Sequence, residues 1–431
     1  MTSTVGVNDD EWVAAAIDLA RVQAQSEAVD PTSLRIALGT TALLMARAPT
    51  RFTDAYSRLS EVELAQGGLR VQNQLEQDDW TWTVDAANAA DLVKDIGCRA
   101  RGLDAALAHA VPFDGPPDDV DRAYYCPEAD AYVIPRHGGV ETARPKGGRM
   151  FFLRRGTPLH RVVPKRLGSF TTRLHALDDL DSSLSTTRSL GAAMFEEFEL
   201  KLETDGGSFK ATGIVCPSAK ESAAAHVDAG RAACIAIVWP ELTMPPEIVQ
   251  SLADKLSSDA LGPGATGALQ WVLAGSWHQG DPVKNLAPIL DAYGNLRFEY
   301  AKSILYRDGE HGIEAALEGY VVPILVTERS LVAFGICRDF CELVQGTPYP
   351  ELGVDLVVVP SMGEETTIRS HRTAAHLISV AGERAFVVQQ RQRTGRGKTG
   401  WVLPPIGDPS TLEPDAMLAG SWSEHRWDRD D

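Results

Sequence analysis

The chain has 431 residues and a formal net charge of −18, with 41 Lys and Arg against 59 Asp and Glu. Hydrophobic residues make up 44% of it and charged residues 23%, as in an ordinary soluble globular protein, and the length allows two or three domains. No apolar run is long enough to cross a membrane and the N-terminus lacks the apolar stretch of a secretory signal, so we expect a cytoplasmic protein without membrane contact.

The first part of the chain has the apolar spacing of helices. Residues 9–110 contain several such stretches, and Asp30 followed by Pro31 is typical of a helix N-cap and first helical position. The segment PFDGPPDD at 112–119 is rich in turn-forming residues. We therefore predict a helical N-terminal domain over residues 1–112.

Residues 113–206 differ from the helical region in their residue pattern. The stretches AYYCPEADAYVIP and GGRMFFLRR contain β-forming residues between Gly and Pro breaks, which predicts short strands and hairpins. We expect a small, β-rich connecting segment over residues 113–206.

The same segment carries a block of positive charge at 136–175. The block contains one acid, Glu141, and ten cations: Arg136, Arg144, Lys146, Arg149, Arg154, Arg155, Arg161, Lys165, Arg166 and Arg173. It can dock against acidic parts of the same chain, which we favour because residues 1–120 carry about ten more acids than bases. The alternative is an external anionic partner such as nucleic acid.

From residue 207 onward, strand-like runs alternate with helical stretches. The helical stretches are 246–258 and 370–382, and the strand-like runs are FKATGIVC, ACIAIVW, ALQWVLAGSW, LRFEYAKSILY, VVPILVT, SLVAFGIC, DLVVVPS and RAFVVQQR. This pattern predicts an α/β domain with a mixed sheet over residues 207–431.

Three of these strands run into a chemically active side chain. They lead to Glu241, Lys302 and Cys337. Strand ends in α/β folds lie at the rim of the sheet, where ligands bind. A carboxylate, an amine and a thiol at that rim suit nucleophilic attack on a carbon bonded to nitrogen.

The motifs around these residues resemble a known family. WPEL, FEYAK and GICRD are similar to the Glu, Lys and Cys motifs of the carbon–nitrogen hydrolase (nitrilase/amidase) superfamily, in the same order and with spacings of 61 and 35 residues. The family's second glutamate matches Glu310 in LYRDGEHG, with Glu314 and Glu318 nearby as alternatives. The resemblance covers about 207–405.

The resemblance implies an αββα sandwich and a set of roles. Cys337 would be the nucleophile and Glu241 the general acid and base. Lys302 would hold the oxyanion together with the backbone N–H of Arg338, and Glu310 would orient Lys302 or the attacking water. Asp339 is interpreted as a turn or salt-bridge residue, and Cys341 as structural.

The expected activity is therefore hydrolysis of a non-peptide C–N bond, in an amide or carbamoyl compound rather than a nitrile, through a thioester. The implied roles need no metal or organic cofactor, and a structural zinc site is not expected because the six cysteines contain no CxxC pair. The alternative is a non-catalytic regulatory or interaction protein controlled by residues 1–206. Expected partners are a small amide-type substrate and either further copies of the chain or a protein bound through the N-terminal half, while nucleic acid is not favoured.

Overall fold

The structure of the chain is a computed structural model that describes residues 8–26, 28–86, 88–112, 117–136, 148–177, 189–260, 267–309, 311–327, 330–342 and 348–427. Its described α-helices are α1 Asp9–Gln23, α2 Pro31–Ala46, α3 Thr50–Ser57, α4 Glu61–Leu75, α5 Ala89–Ala110, α6 Val120–Tyr124, α7 Gly148–Gly156, α8 Ala219–Gly230, α9 Pro246–Ala260, α10 Arg338–Cys341, α11 Tyr349–Leu352 and α12 Glu365–Val380. Short 3-10 helices span Pro409–Thr411 and Pro414–Met417. Among the helices described, none is both long and apolar enough to cross a membrane.

The described strands are β1 Tyr125–Cys126, β2 Ala131–Pro135, β3 His160–Pro164, β4 Arg166–Leu167, β5 Phe170–Ala176, β6 Ser189–Ala193, β7 Glu199–Asp205, β8 Ser208–Val215, β9 Cys234–Val238, β10 Trp271–Leu273, β11 Trp277–Gln279, β12 Lys284–Asp291, β13 Leu296–Ala301, β14 Arg307–Asp308, β15 Gly312–Glu314, β16 Val321–Val326, β17 Leu331–Phe334, β18 Leu356–Met362, β19 Arg384–Gln390, β20 Gly400–Leu403, β21 Leu418–Ala419 and β22 Trp422–Arg426.

These strands form four sheets. Sheet I has the order β1-β2-β3, and sheet II has the order β11-β12-β10-β9-β6-β22 with β13 paired to β12. Sheet III has the order β14-β15-β8-β7, and sheet IV the order β21-β20-β19-β18-β17-β16-β5-β4. Sheets II and IV contain parallel and antiparallel pairs, so the prediction of mixed sheets is confirmed.

Sheets II and IV pack face to face, with helices outside them. In β18, Leu356 and Val358 pack into the core between the two sheets, whereas Val357 and Val359 face the core under α12. Helices α8 and α9 cover sheet II in the same way. Because successive strand residues point to opposite faces, a continuous apolar run such as LVVV serves both cores. The layers are thus helix, sheet, sheet, helix.

The helical prediction for residues 9–110 is confirmed by α1 to α5. Asp30 caps α2 by accepting hydrogen bonds from the N–H groups of Thr32 and Ser33, and Pro31 is the first residue of the helix. By contrast, the prediction of a strand at GGRMFFLRR is wrong, because this segment forms α7. Its Phe152 and Leu153 are buried in cores formed largely by the N-terminal helices, and this packing outweighs local β preference.

The predicted connecting segment also contributes to the sandwich. Strand β5 pairs in parallel with β16 in sheet IV, and β6 pairs in parallel with β9 in sheet II. The division at residue 206 stays a prediction as a domain boundary, but strands from both sides of it are hydrogen-bonded into the same sheets. Sheet I packs on this assembly, since Tyr132 and Val163 belong to the core under sheet IV.

Three cations of the block at 136–175 are bound within the chain. Arg155 pairs with Glu61 of α4 at 2.8 Å. Arg161 contacts Asp355 at 2.5 Å, and Arg154 donates to the carbonyl of Val354 at 3.1 Å. For Arg155 and Arg161 the predicted docking against acidic residues of the same chain is confirmed.

Candidate active site

The structure brings Glu241 and Lys302 into contact and places Cys337 beside them. Glu241 lies in the turn after β9, Lys302 directly after β13, and Cys337 between β17 and α10. The exposed fractions of the three residues are 3%, 1% and 5%. Because ionisable groups are rarely buried so completely without partners, the contacts among them determine what the site can do.

The ammonium of Lys302 is shared by two carboxylates. Its Nζ donates to Oε1 of Glu241 at 2.7 Å and to Oε2 of Glu314 at 2.7 Å. Burial disfavours the ammonium, but the charges of Glu241 and Glu314, with a contribution from Cys337, raise the pKa of Lys302 well above its usual value. Lys302 is therefore a permanent cation.

Glu314, one of the two nearby alternatives to Glu310, is a second glutamate that the structure places at Lys302. Glu310 lies outside the described residues, so its predicted role stays a prediction. Glu314 ends β15 and accepts hydrogen bonds from Lys302, Asn285, the N–H of Tyr306 and the ring of His278. Burial raises the pKa of Glu314, but Lys302 and His278 outweigh burial and hold it well below the usual range.

Asn285 and His278 were not among the residues predicted from the sequence. Nδ2 of Asn285 donates to Oε1 of Glu314 at 2.8 Å and to Oε1 of Glu241 at 3.1 Å. Asn285 and His278 are directly opposite each other in the β11–β12 pair. The signal that could have found them is the Gly-Asp-Pro break at 280–282, which predicts a hairpin with these two side chains on one face.

The backbone at Cys337 has an unusual conformation. Its φ is 46° and its ψ is −101°, in a region that residues with a side chain rarely adopt. Such strain occurs preferentially where the surrounding structure fixes a functional side chain. Here the N–H of Cys337 donates to the carbonyl of Pro360 at 2.9 Å, and its thiol lies 3.7 Å from the carbonyl oxygen of Met362.

Asp339 joins the turn at Cys337 to the end of β13. Its carboxyl accepts hydrogen bonds from the N–H groups of Ser303, Ile304 and Ile336. The hydroxyl of Tyr300 donates to it as well, at 2.5 Å. These bonds agree with the interpretation of Asp339 as a turn residue, and they fix the position of Cys337 relative to Lys302.

Burial favours the neutral form of the Cys337 thiol. Burial and the charge of Glu241 raise the pKa of Cys337 well above its usual value, although Lys302 and Ser361 act in the opposite direction. Oε2 of Glu241 accepts from the N–H of Met362 at 3.2 Å, and the carbonyl of that same residue contacts the thiol. Glu241 is thus the carboxylate held next to the thiol.

The site also contains donors for a developing negative charge. Lys302 supplies an ammonium, and the N–H of Arg338 has no acceptor within its helix, since Arg338 is the first residue of α10. Across the described parts of the chain, no group of three His, Cys, Asp or Glu residues could hold a metal ion. The chemistry available here is nucleophilic attack with proton transfer and oxyanion stabilisation.

No protein-family model and no curated protein matches the sequence. Solved structures do match. One is a variant of the amidase from Nesterenkonia sp. AN1 showing the result of Michael addition of acrylamide at the active-site cysteine, with 15% identity, a TM-score of 0.37, and coverage of 56% of this chain and 94% of that chain. Another is an amidase from Nesterenkonia sp., with 14% identity, a TM-score of 0.38, and coverage of 57% and 92%. A cysteine variant of the Nesterenkonia AN1 amidase, from the nitrilase superfamily, matches with 16% identity, a TM-score of 0.37, and coverage of 56% and 92%. The chain is therefore structurally similar, at a distance, to a nitrilase-superfamily amidase over about half of its length.

Proposed function

We propose that this protein is a cysteine-dependent hydrolase that cleaves a non-peptide C–N bond in a small amide or carbamoyl compound. The observation that carries the proposal is the ammonium of Lys302, bound by Glu241 and Glu314 at 2.7 Å each beside a strained, buried Cys337. A structural ion pair would need neither an adjacent thiol nor a backbone strained at that thiol. The resemblance of the three sequence motifs to the carbon–nitrogen hydrolases supports the same chemistry.

In the first half of the reaction, Glu241 takes the thiol proton as the sulfur of Cys337 attacks the carbonyl carbon. The carbonyl oxygen becomes an oxyanion, which the ammonium of Lys302 and the N–H of Arg338 stabilise. When the intermediate collapses, the C–N bond breaks and Glu241 gives its proton to the departing nitrogen. The products are an amine or ammonia and a thioester on Cys337.

In the second half, Glu241 takes a proton from water, which attacks the thioester carbon. The same two donors stabilise the second oxyanion. Collapse of this intermediate breaks the C–S bond, releases the acid and returns the proton to the thiolate of Cys337. Glu314 keeps its charge throughout, since Lys302 and its other donors hold it as an anion.

The test measures ammonia release and intact mass with a panel of small amides and N-carbamoyl compounds, with nitriles for comparison. We expect turnover on part of the panel and an acyl adduct on the protein. Replacing the nucleophile, Cys337→Ala, should abolish the adduct and lower turnover by at least about a thousandfold.

The matched control is Cys341→Ala. Burial raises the pKa of Cys341 to about 11, so this thiol is a poor nucleophile at neutral pH and its loss should leave turnover within about twofold. If the wild-type protein forms no adduct and releases no ammonia across the panel, the hydrolase proposal is wrong. The non-catalytic interaction protein would then be favoured.

A further inference from the structure

We propose that His278 is a positioning residue of this active site, which holds Glu314 against Lys302 from a fixed point in sheet III. The inference rests on the proposed function. Its evidence is a chain of hydrogen bonds that runs from the backbone of β8 through the imidazole ring to the second carboxylate.

The hydrogen bonds of the His278 ring determine its tautomer. The backbone N–H of Ala211 in β8 donates to Nδ1 of His278 at 2.8 Å, so Nδ1 carries no proton. The proton of the neutral ring is then on Nε2, which lies 2.9 Å from Oε1 of Glu314 and donates to it. The ring is buried, and rotating it would break both bonds at once.

The neighbouring strand strengthens this arrangement. Asn285, which faces His278 across the β11–β12 pair, donates to the same oxygen of Glu314. It also donates to Glu241 at 3.1 Å. One hairpin therefore fixes the distance between the two carboxylates that share the ammonium of Lys302.

The position of Glu314 affects the transfer of the thiol proton from Cys337 to Glu241. While Glu314 is held in place, it takes part of the hydrogen bonding of Lys302, and Glu241 remains able to accept a proton. If Glu314 moves away, Lys302 pairs with Glu241 alone, and that carboxylate becomes a weaker acceptor for the proton of Cys337. His278 touches no reacting atom and acts only through Glu314 and Lys302.

Two substitutions separate the two hydrogen bonds of the ring. In His278→Gln, the side-chain amide can reach the place of Nε2 and donate to Glu314, while the acceptor for Ala211 is lost. In His278→Asn, the side-chain oxygen can take the place of Nδ1 and accept from Ala211, while the donor to Glu314 is lost. The pair is nearly matched in polarity and size.

We expect His278→Asn to lower kcat about 10-fold to 100-fold with KM within about threefold, because the substrate still binds but the proton acceptor is misplaced. We expect His278→Gln to stay within about fivefold of wild type. If His278→Gln were instead less active than His278→Asn, His278 would serve only to anchor β8. Equal activity of both variants, at any level and with intact folding, would also overturn the proposal.

A second measurement separates this inference from the proposed function. The rate at which iodoacetamide alkylates Cys337, followed by peptide mass spectrometry, requires no substrate. It should be at least about fivefold slower in His278→Asn than in His278→Gln. If no amide is turned over but Cys337 is alkylated more slowly in His278→Asn than in His278→Gln, the positioning role stands and the hydrolase proposal fails. If amides are turned over and the alkylation of Cys337 is not slower in His278→Asn, only the positioning role fails.

A third measurement covers the case in which a His278 variant does not fold. Ring 15N chemical shifts of the wild-type protein should show the Nε2-protonated tautomer for His278, identified by the change of its signals in Glu314→Gln. A ring protonated on Nδ1 at neutral pH would overturn the proposal.

Discussion

The two carboxylates that share Lys302 differ in their remaining hydrogen bonds. Both oxygens of Glu314 accept two hydrogen bonds each, from His278 and Asn285 on one side and from Lys302 and Tyr306 on the other. Among the residues that the structure describes, Glu241 also accepts two on Oε1, but its Oε2 accepts one, from the N–H of Met362. This difference fits the roles proposed for the two side chains, Glu314 as a fixed anion and Glu241 as a proton carrier.

This difference predicts the effects of replacing each nearby glutamate. Glu314→Gln removes one of the two charges that balance Lys302, and we expect kcat to fall about 100-fold to 1000-fold with the protein still folded. The same substitution at Glu310 tests the role that the sequence resemblance gave to that residue. Steady-state kinetics on the best amide of the panel would measure both.

The control is Glu318→Gln, which removes an exposed carboxylate whose contact is the hydroxyl of Tyr320. It should leave kcat unchanged. A large loss in Glu310→Gln together with a small loss in Glu314→Gln would assign the second glutamate as the sequence resemblance did.

The positions of Glu241, Lys302 and Cys337 could be predicted because each residue follows a strand-like run in the sequence. The second glutamate could not be located in this way. The motif leaves Glu310, Glu314 and Glu318 as candidates, and the sequence alone does not determine which carboxylate lies at Lys302. His278 and Asn285 were missed because their contacts depend on the pairing of two strands, and single residue types in a strand do not reveal that pairing.

At the scale of elements, Glu314 depends on a close approach between two strands. β15 pairs in parallel with β8, and Gly312 has a φ of 91°. A Cβ at Gly312 would lie 1.8 Å from the carbonyl oxygen of Gly207. Glycine is therefore required at this position for β15 to reach β8 and present Glu314 to the site.

The substitution Gly312→Ala should displace β15 and lower kcat more than about 10-fold, because a small displacement of Glu314 is enough to disturb Lys302. Circular dichroism should show that the sheets remain. The matched control in the same hairpin is Gly309→Ala, where a Cβ would meet nothing within 4 Å. Equal kcat in the two variants would contradict this account of β15.

The sequence predicted those elements correctly whose residue pattern is local. The apolar runs at β9, β17, β18 and β19 were all predicted as strands. α7 was predicted wrongly because its Phe-Phe pair has β preference, whereas its burial against the N-terminal helices arises from residues far away in the chain. β6, with the sequence SLGAA, was missed because small residues give no strand signal, although it packs between β9 and β22.

At the scale of the whole molecule, buried arginines join the N-terminal half to the sandwich. Arg161 of β3 contacts Asp355 at 2.5 Å and donates to the carbonyl of Gly353 at 3.2 Å. The other oxygen of Asp355 accepts from the N–H of Leu331, at the start of the strand that leads to Cys337. The junction is thus connected to the strand that leads to Cys337.

The substitution Arg161→Met removes the cation that contacts Oδ1 of the buried Asp355. We expect it to lower the free energy of unfolding by about 3–5 kcal/mol, measured as a shift of the urea unfolding midpoint.

The control is Arg166→Met, in the same block of positive charge. Arg166 is 74% exposed and lies 3.4 Å from Asp130, so its loss should change the free energy of unfolding by less than about 1 kcal/mol. Similar shifts in both variants would mean that net charge, rather than the buried contact, determines the stability of the junction.

The pairing of β6 with β22 affects how the chain must fold as it is synthesised. β6 comes before most of the sandwich in the sequence, yet one of its two edges is covered by β22, and Trp422 packs over Gly191. Until the ribosome has made β22, that edge of sheet II is open to pairing with other nascent chains.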